Sequence, residues 1–566
     1  MADEFRLFEK RKGQSEEYRK GLEPNWTELA ELYHLIYTKW SSRLFIPMLK
    51  PYAKSLQVRW MSGIFTGTNF FSLTGVESSD DQNARNMENL INFQAVKEMK
   101  LRQKMSRMFR SLSYLGNQVG CVLWDSVKQT NQYKTISLWD SFPDPAGDSM
   151  ETCEWFITRE AIPYSRLLEL QKIGILENVE RVKEFPYGEG EKTGQERAAE
   201  FQKTKVQFTG NDGENKDYPI LIYEMWTDEQ VITLEPKSKT ILRKEPNPFS
   251  HKRKPFVLFR PQPEDGVFYG LPPVIDVKDL QKDLIDVRHY RKRLSSLALR
   301  GIWFGRRGSG IDWERLATNG IILGDDPNSV KQYPVNANNM LGMEEENQIK
   351  SDGDRALNIF DPQRGGGEGD VTKTVGGLSL LIKEGNLIFA EDIANIQTDG
   401  IVPMVEMLIS NNQQFLPDNK RIRVLGTSTE TTLTKQNLSG KLDVVVGSSP
   451  GLGMREMEQV AMAEVWDKFI AKAPQTPPDP EVDTRKLKED FLRLYNQDPA
   501  RLLFPANQRD IIAENQQLQE QVQMTTQAYD QLKAEYEQHL ATMEANARNE
   551  KLVQEEQKAL TEEKYV

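Results

Sequence analysis

The sequence DPQRGGGEGD at Asp361–Asp370 opens the stretch from which we infer the fold. Apolar residues then recur at steps of three or four positions, at Leu378, Leu381, Ile382, Phe389, Ile393 and Ile396. This spacing predicts a helix. Gly385 weakens this predicted helix. Gly400 and Pro403 predict a bend in it, because proline cannot donate a backbone hydrogen bond. The spacing resumes through Phe415. A loop leading into a long kinked helix is typical of a segment that binds a partner or moves. It is equally consistent with a surface loop beside a buried core helix.

Composition and charge narrow the class of protein. The 566 residues suffice for several domains, 28% of them are charged, and the formal net charge is −11. This balance argues against a chain that coats nucleic acid with basic surface. The two cysteines, Cys121 and Cys153, form no metal-binding motif, which favours a reduced, cytoplasmic setting. The residues Met1–Arg6 do not resemble a signal peptide, and no apolar run predicts a membrane span.

The first 260 residues predict helices followed by strands. Helical spacing covers residues 24–40, 44–65 and 85–115, the last as one helix or a pair. A hairpin is predicted from strands at Gly120–Asp125 and Thr135–Trp139 around a turn at Gln129–Gln132. The polar stretch Gly188–Asp217 predicts an exposed loop. The other predicted elements are a helix at Ser165–Ile175 and strands at Trp155–Thr158, Ile220–Trp226, Val231–Leu234, Thr240–Arg243 and Phe256–Phe259.

A long helix is predicted from Gly270–Pro273 to Arg300, since proline is well tolerated in a first turn. Its apolar stripe leaves Gln281 to one side, and its basic end from Arg288 is predicted to be solvated. Beyond it we predict strands at Ile302–Gly305, Gly320–Leu323, Arg421–Leu425 and Lys441–Gly447 and helices at Ile311–Ala317, Met340–Phe360 and Met454–Ala471.

The C-terminal residues differ in composition from the rest. From Asn507 onward there is no proline or glycine, and apolar residues step by three, four or seven positions. They are Ile511, Leu518, Val522, Tyr529, Leu532, Tyr536 and Met543. This pattern predicts a continuous helix with a coiled-coil-like seam, which needs partner helices. We therefore expect self-association.

Enzyme motifs are scarce in the sequence. The stretch Gly188–Gly194 superficially suggests a phosphate-binding loop, but Glu191 stands where the motif requires glycine. The four histidines are far apart, and neither a zinc-protease helix motif nor a nucleophile-elbow motif occurs. We therefore predict no catalytic residues, no cofactor and no metal site.

Four local patterns, taken in order along the chain, carry a family resemblance. They are Phe142–Pro145, Gly270–Pro273 leading into Asp279–Asp283, Asn319–Gly324 followed by Val330–Tyr333, and Asp370–Thr374. These patterns resemble those of the portal (head-to-tail connector) proteins of tailed bacteriophages, in the longer podovirus-like form. The order of the predicted elements adds to the resemblance: a helix, a strand-rich insert, a second helix, a loop and a long kinked helix. The resemblance covers nearly the whole chain, although Thr372–Thr374 departs from the Ala-Thr-Glu-like pattern of the family.

The resemblance implies an α+β, mostly helical portal fold that assembles as a ring, usually a dodecamer, around a DNA channel at one capsid vertex. The implied regions are a wing at 1–270, a first stem helix at 271–300, a clip at 301–338, a second stem helix at 339–360, a tunnel loop at 361–377, a long kinked wing helix at 378–416, wing strands at 417–452, a crown at 453–506 and a C-terminal barrel helix at 507–566.

The resemblance also suggests site residues. In the tunnel loop, Arg364 and Lys373 are hypothesised to touch the DNA backbone without reading its sequence. The hypothesised clip residues that dock the packaging motor and later the tail adaptor are Arg306, Arg307, Trp313 and Asp325. The residues implied to pack the barrel are Leu518, Val522, Tyr529, Leu532 and Tyr536.

The implied function is a channel through which double-stranded DNA is packaged and ejected. The acidic balance suits sliding, because each neutralised phosphate adds attraction. The implied partners are further copies of the chain, non-specific double-stranded DNA, the terminase large subunit, head–tail adaptor and tail proteins, and the major capsid and scaffolding proteins, without a membrane. The implied location is the virion, after assembly in the host cytoplasm.

Two alternatives to the portal hypothesis stay open. One is a coiled-coil scaffold or adaptor protein of the virion, which the large mixed region before the C-terminal helix makes less economical. The other is a DNA-packaging terminase ATPase, against which the missing phosphate-binding loop argues.

Overall fold

The structure is a computed structural model of the chain. It describes residues 2–37, 39, 45–65, 70–75, 80–183, 185, 192–204, 218–305, 330–333, 339–356, 389–423, 430–440 and 442–445, with positions 522, 525, 526 and 533. The chain divides into two units, Met1–Lys472 and Ala473–Val566, and the elements below belong to the first. Helices supply about half of the described residues and the sheets are small and antiparallel, so the predicted α+β class is confirmed.

The helices are numbered in chain order. They are α1 (Ala2–Arg19), α2 (Glu23–Tyr33), α3 (Leu49–Ile64), α4 (Asp81–Phe93), α5 (Leu101–Leu115), α6 (Tyr164–Lys172), α7 (Gly194–Phe201), α8 (Val277–Arg300), α9 (Asn339–Ala356) and α10 (Val402–Phe415). Residues 389–396 are also helical. A π-helical turn at Gln94–Glu98 follows α4, and a second one at Gln397–Ile401 precedes α10.

The strands pair only with antiparallel neighbours in the described part of the chain. They are β1 (Ser72–Gly75), β2 (Gln118–Asp125), β3 (Thr130–Ile136), β4 (Ser141–Pro143), β5 (Trp155–Pro163), β6 (Pro219–Thr227), β7 (Gln230–Glu235), β8 (Thr240–Pro246), β9 (Phe256–Phe259), β10 (Ile302–Gly305), β11 (Val330–Tyr333), β12 (Lys420–Arg423), β13 (Glu430–Leu433) and β14 (Leu442–Val445). The sheets have the orders β4-β5-β6-β7-β8, β3-β2-β9, β1-β14, β10-β11 and β12-β13.

The five-stranded sheet is covered on both faces. Successive residues of β6 point to opposite faces, as strand geometry requires. Tyr223 packs edge-on against Phe8 of α1, with ring centroids 5.2 Å apart. Ile222 belongs instead to the apolar cluster of Leu167 on α6. The largest core lies elsewhere in this unit and joins α2, α3, α4 and α5, the three-stranded sheet and the long helix of residues 389–415.

Most predicted elements of the first 305 residues are confirmed, although their ends are shifted. For the β2–β3 hairpin, however, the predicted position of the turn is wrong. The turn lies at residues 126–129, because Asp125 pairs with Thr130 and its carboxylate accepts hydrogen bonds from the backbone of Val127 and Lys128. The predicted turn residues beyond Gln129 therefore belong to β3.

The prediction of a loop across Gly188–Asp217 is wrong where the structure describes it, because α7 begins at Gly194. The Thr193 hydroxyl accepts from the Glu196 backbone, and the Glu196 carboxylate accepts from the Thr193 backbone, which forms a capping box. Thr193 thus starts a helix at the end of the phosphate-loop-like sequence.

The long kinked helix predicted up to Phe415 is helical over its described residues, 389–415. Its irregularity is the π-helical turn at Gln397–Ile401, immediately before Pro403. Only glycine fits at position 400 without a shift of the neighbouring atoms, because a Cβ atom there would lie 2.2 Å from the Phe259 ring on β9. The residues predicted as a tunnel loop, 361–377, lie outside the described residues.

Candidate functional site

The region with the most developed geometry is the pair formed by α8 and α9. The two helices, of 24 and 18 residues, pack against each other along their lengths. Gly301 ends α8 with a positive φ of 70° and leads directly into β10. β10 pairs with β11, so that Ile302 faces Tyr333. The strand prediction at Ile302–Gly305 is confirmed. Its partner strand is Val330–Tyr333, one of the segments that carry the family resemblance.

The start of α8 corrects the sequence analysis. The helix begins at Val277, not in the segment Gly270–Pro273. Gly270 is held by the side chain of Asn117, which accepts from its N–H and donates to its carbonyl, both at 2.8 Å. Leu271 donates to the carbonyl of Gln262. Because these bonds use the backbone groups, the segment docks beside β2 and the helix starts later.

The side chain of Gln281 joins α8 to the start of α3. Its Oε1 atom accepts from the backbone N–H groups of Met48 at 2.5 Å and Leu49 at 3.0 Å, and its Nε2 atom donates to the carbonyl of Ile46. The N–H groups of a first helical turn have no partner within the helix, so this amide acts as a cap from a distant segment. Gln281, predicted to lie off the apolar stripe, is 0% exposed.

Ion pairs fix the same half of α8 to α2. Lys278 pairs with the Glu28 carboxylate at 2.9 Å, and Lys282 contacts the same group. Burial by itself would raise the pKa of Glu28, but the hydrogen bonds from these lysines outweigh it and lower that pKa. The N-terminal half of α8 is therefore held by both a buried amide and charged contacts.

Ion pairs also join α8 to α9. Arg288 and Arg291 bind the Glu346 carboxylate at 2.8 and 2.9 Å, and Glu346 is 3% exposed. The prediction that the basic end of α8 is solvated is therefore wrong for these arginines. It is confirmed for Lys292 and Arg293, which are exposed. A buried carboxylate needs such partners, since removing one leaves a desolvated charge.

The long helix is held on both sides of its π-helical turn. Before the turn, buried Asp392 accepts from Trp60 Nε1 at 3.2 Å, and burial raises the pKa of Asp392 to about 7. Within the turn, Asp399 accepts from the Arg260 guanidinium at 2.8 Å. Each of these polar contacts ties the helix to a different neighbouring segment.

A buried amide network holds α10. Asn131 of β3 donates to Gln94 Oε1 and to Asn412 Oδ1, both at 3.1 Å, and Gln94 Nε2 donates to Asn412 at 2.8 Å. The three residues are fully buried. Such a network specifies one arrangement of the π-helical turn after α4, the hairpin and α10, because every alternative packing leaves amide groups unpaired.

Two concave regions accompany these elements. A groove of about 1,000 Å³ runs between α1, α2 and Arg197 of α7. A cavity of about 490 Å³ lies beside the second π-helical turn, where Arg260 and Lys254 are paired with Asp399 and Asp228. The described part of the chain contains no group of three or more histidine, cysteine, aspartate or glutamate residues that could hold a metal ion. Within the same residues, no helix is long and apolar enough to cross a membrane.

Comparison with models of known protein families found no match. Comparison with curated proteins found none either. The function must therefore be argued from the residues of this chain.

Most of the predicted site residues lie outside the described residues, so their roles stay predictions. These are Arg306, Arg307, Trp313, Asp325, Arg364, Lys373, Leu518, Tyr529, Leu532 and Tyr536. Val522 is described, is helical and is 47% exposed. The roles of Gln281, Glu28 and Glu346 were not predicted from the sequence. For Gln281 a signal existed, because it follows Val277 by four positions and precedes buried Ile285 by four.

Proposed function

We propose that the chain is the portal protein of a tailed bacteriophage, a ring subunit that conducts double-stranded DNA. One observation carries this proposal, the arrangement of the long helices. The helices α8 and α9 lie on either side of the β10–β11 strand pair in the chain, and α8 is fixed at its N-terminal half to α2 and α3. The long helix of residues 389–415, with its π-helical turn, follows them. At about 1.5 Å per residue, the helices of 24 and 18 residues span about 36 and 27 Å. Rigid paired helices of that length suit the wall of a channel.

Under this proposal, α8 and α9 form the stem, and residues 301–338 between them form the clip, where the terminase large subunit and then adaptor and tail proteins dock. Arg306, Arg307, Trp313 and Asp325 are the proposed docking residues. Arg364 and Lys373, in a tunnel loop at 361–377, contact the DNA backbone. The elements before α8 and the helix that ends at Phe415 form the wing.

The remaining regions are proposed as wing strands at 417–452, a crown at 453–506 and a barrel helix at 507–566, packed through Leu518, Val522, Tyr529, Leu532 and Tyr536. The protein acts in the virion without catalysis of its own. At the end of the phosphate-loop-like sequence, the Glu196 carboxylate accepts the Thr193 backbone N–H at the start of α7, which disfavours a bound phosphate at that position.

Truncation separates a portal from a coiled-coil scaffold. A chain ending at Ala506 is expected to form rings with the same number of subunits, as measured by sedimentation velocity, because the stem and wing supply subunit contacts. Loss of all assembly in that truncated chain would favour the scaffold alternative. In packaging-competent particles, Arg364→Gln/Lys373→Gln is expected to alter DNA packaging or retention while rings still form. Normal packaging and retention would contradict the assignment of these two residues.

A further inference from the structure

Helices α3 and α5 pack against each other and share an uneven charge composition. Neither helix contains an acidic residue, and none occurs in the sequence from 32 to 76 or from 99 to 124. Five exposed cations lie on this helix pair, and we call them the basic face: Lys50, Lys54, Lys100, Arg107 and Arg110. In a chain with a net charge of −11, this is a local excess of positive charge that the overall composition conceals.

The cations of α5 lie on one side of the helix. Lys100 stands at its start, and Arg107 and Arg110 follow after seven and then three positions, which returns each side chain to the same face. Met105 and Leu112 lie on the opposite face and are fully buried. The cationic side of α5 is therefore the side turned away from the core.

A chain of hydrogen bonds joins Lys54 of α3 to this side of α5. Lys54 Nζ donates to Gln57 Oε1 at 3.3 Å, and Gln57 Nε2 donates to the Ser106 carbonyl at 2.6 Å. Ser106 lies one helical turn before Arg110. Lys54 and Arg110 thus belong to the same surface.

Two tyrosine rings place Lys50 beside Arg110 as well. Lys50 Nζ lies 5.7 Å from the centroid of the Tyr33 ring, and Tyr33 stacks on Tyr114 with the ring centroids 4.3 Å apart. Burial raises the pKa of both tyrosines, and the nearby charge of Arg110 opposes this rise. Both helices therefore contribute cations to one continuous surface.

The charges of the basic face are not neutralised within the described part of the chain. None of its five residues forms an ion pair with a described residue. Elsewhere in the same unit, Arg260 is paired with Asp399. Arg107 and Arg110 lie three positions apart on one helix, and like charges at that spacing repel each other. A bound polyanion would remove this repulsion.

The surroundings of the basic face favour one kind of polyanion. α5 has no exposed large apolar residue and α3 has one, Val58, so the apolar core of a protein interface is missing. Single-stranded nucleic acid binds through exposed aromatic rings, but Tyr33 and Tyr114 are buried. The backbone of a DNA duplex is bound chiefly through lysine and arginine, which this surface supplies.

We propose that the basic face binds the phosphate backbone of double-stranded DNA without reading its sequence. From Lys100 to Arg110 the helix rises about 15 Å. A duplex of that length carries about four phosphates on each strand, which suits a surface of five cations. The basic face is separate in sequence from the tunnel loop at 361–377. The inference therefore goes beyond the proposed function, and it does not require a ring.

A covalently closed circle of double-stranded DNA tests this surface, because a closed circle cannot thread through a preformed ring. The full-length protein is expected to bind the circle in electrophoretic mobility shifts. Lys54→Gln/Arg107→Gln/Arg110→Gln is expected to weaken this binding at least about tenfold at low salt and to reduce the slope of log affinity against log salt by about 2 to 3. Unchanged affinity and slope in this variant would overturn the inference.

Two further variants separate charge from structure. Lys10→Gln/Lys172→Gln/Arg181→Gln removes three exposed cations elsewhere and is expected to bind the circle within about twofold of wild type. Lys54→Arg/Arg107→Lys/Arg110→Lys keeps every charge and is expected to bind as the wild type does. If this conservative variant loses binding as the glutamine variant does, the residues act through the fold and the inference is wrong.

The outcomes also separate this inference from the proposed function. If rings form and bind linear DNA but not closed circles, the basic face is refuted and the portal proposal remains. If closed circles bind through the basic face and no rings form, the inference stands and the portal proposal fails. Polyglutamate is the probe for an acidic protein partner, and tighter binding of polyglutamate than of DNA at the basic face would contradict the inference.

Discussion

Gln281 accepts a hydrogen bond from the backbone N–H of Met48 at 2.5 Å, although the two residues lie 233 positions apart. The same side chain also satisfies Leu49 and Ile46. One amide therefore fixes where α8 leaves the body of the first unit, and the direction of the helix pair depends on it.

The first prediction concerns this amide. Gln281→Leu keeps the approximate volume but leaves two N–H groups and one carbonyl without a partner, so it is expected to lower the free energy of unfolding by about 2–4 kcal/mol. Urea denaturation followed by circular dichroism measures the change. Gln348→Leu, at an exposed position on α9, is the control and is expected to change stability by less than about 0.5 kcal/mol. Equal stability of the two variants would refute the capping role.

The second prediction concerns the contact between α8 and α9. Glu346→Gln removes the charge that Arg288 and Arg291 share, and it is expected to lower the free energy of unfolding by about 2 kcal/mol, since the arginines retain access to water. Glu344→Gln removes an exposed carboxylate two positions away on α9 and is the matched control. The account of a buried charge contact fails if the two substitutions have the same small effect in thermal and urea unfolding.

The third prediction concerns Gly400 and Phe259. Gly400→Ala places a Cβ atom 2.2 Å from the Phe259 ring, so β9 and the long helix must separate, at a cost of about 3 kcal/mol. Gly13→Ala in α1 meets no atom within 4 Å and is expected to stabilise the protein by up to about 1 kcal/mol, through helix propensity. Melting temperatures that move in opposite directions for the two variants would bear this out, and a neutral Gly400→Ala would contradict it.

The fourth prediction concerns pH and Asp392. Burial raises its pKa in the folded protein from the ordinary 3.8 to about 7. Between these values the folded state holds a proton that the unfolded chain releases, so stability falls as pH rises from about 4 to about 7 and then levels off. Asp392→Asn removes this contribution while keeping an acceptor for Trp60. The variant is therefore expected to gain stability over wild type at pH 8, on the order of a few kcal/mol, and to lose that advantage near pH 4.

Urea unfolding of wild type and Asp392→Asn at pH 4, 6 and 8 measures the effect. Glu391→Gln, a change at the exposed neighbouring carboxylate, is the control and should retain most of the pH dependence, because burial is the main cause of the raised pKa. A stability difference between wild type and Asp392→Asn that is independent of pH would show that the pKa of Asp392 is not raised by folding.

How much could be predicted from sequence depends on whether the signal is local. Periodicity located α2, α3, α4 and α5 and four strands of the five-stranded sheet, β5 to β8, because each buries one face and repeats its apolar residues accordingly. The short strand β4 was not among the predicted strands. The capping box of Thr193 and Glu196 was also a local signal, but the polarity around it favoured a loop.

The contacts that position the candidate site have no such local signature. Gln281 reaches Met48, Glu346 reaches Arg288, and Asn131 reaches Asn412. In each case a polar residue is buried because a distant segment supplies its partner, and a polar residue in isolation predicts a solvated face. The late start of α8 has the same cause, since Gly270 is bonded to distant Asn117.

The central claim is that this chain forms a DNA-conducting ring. Negative-stain electron microscopy of the purified full-length protein, with two-dimensional class averaging, tests it most directly. The account predicts closed rings of about twelve subunits around a central hole, the subunit number that the family resemblance implies. Class averages that show only monomers, dimers or solid bundles at high protein concentration would contradict it.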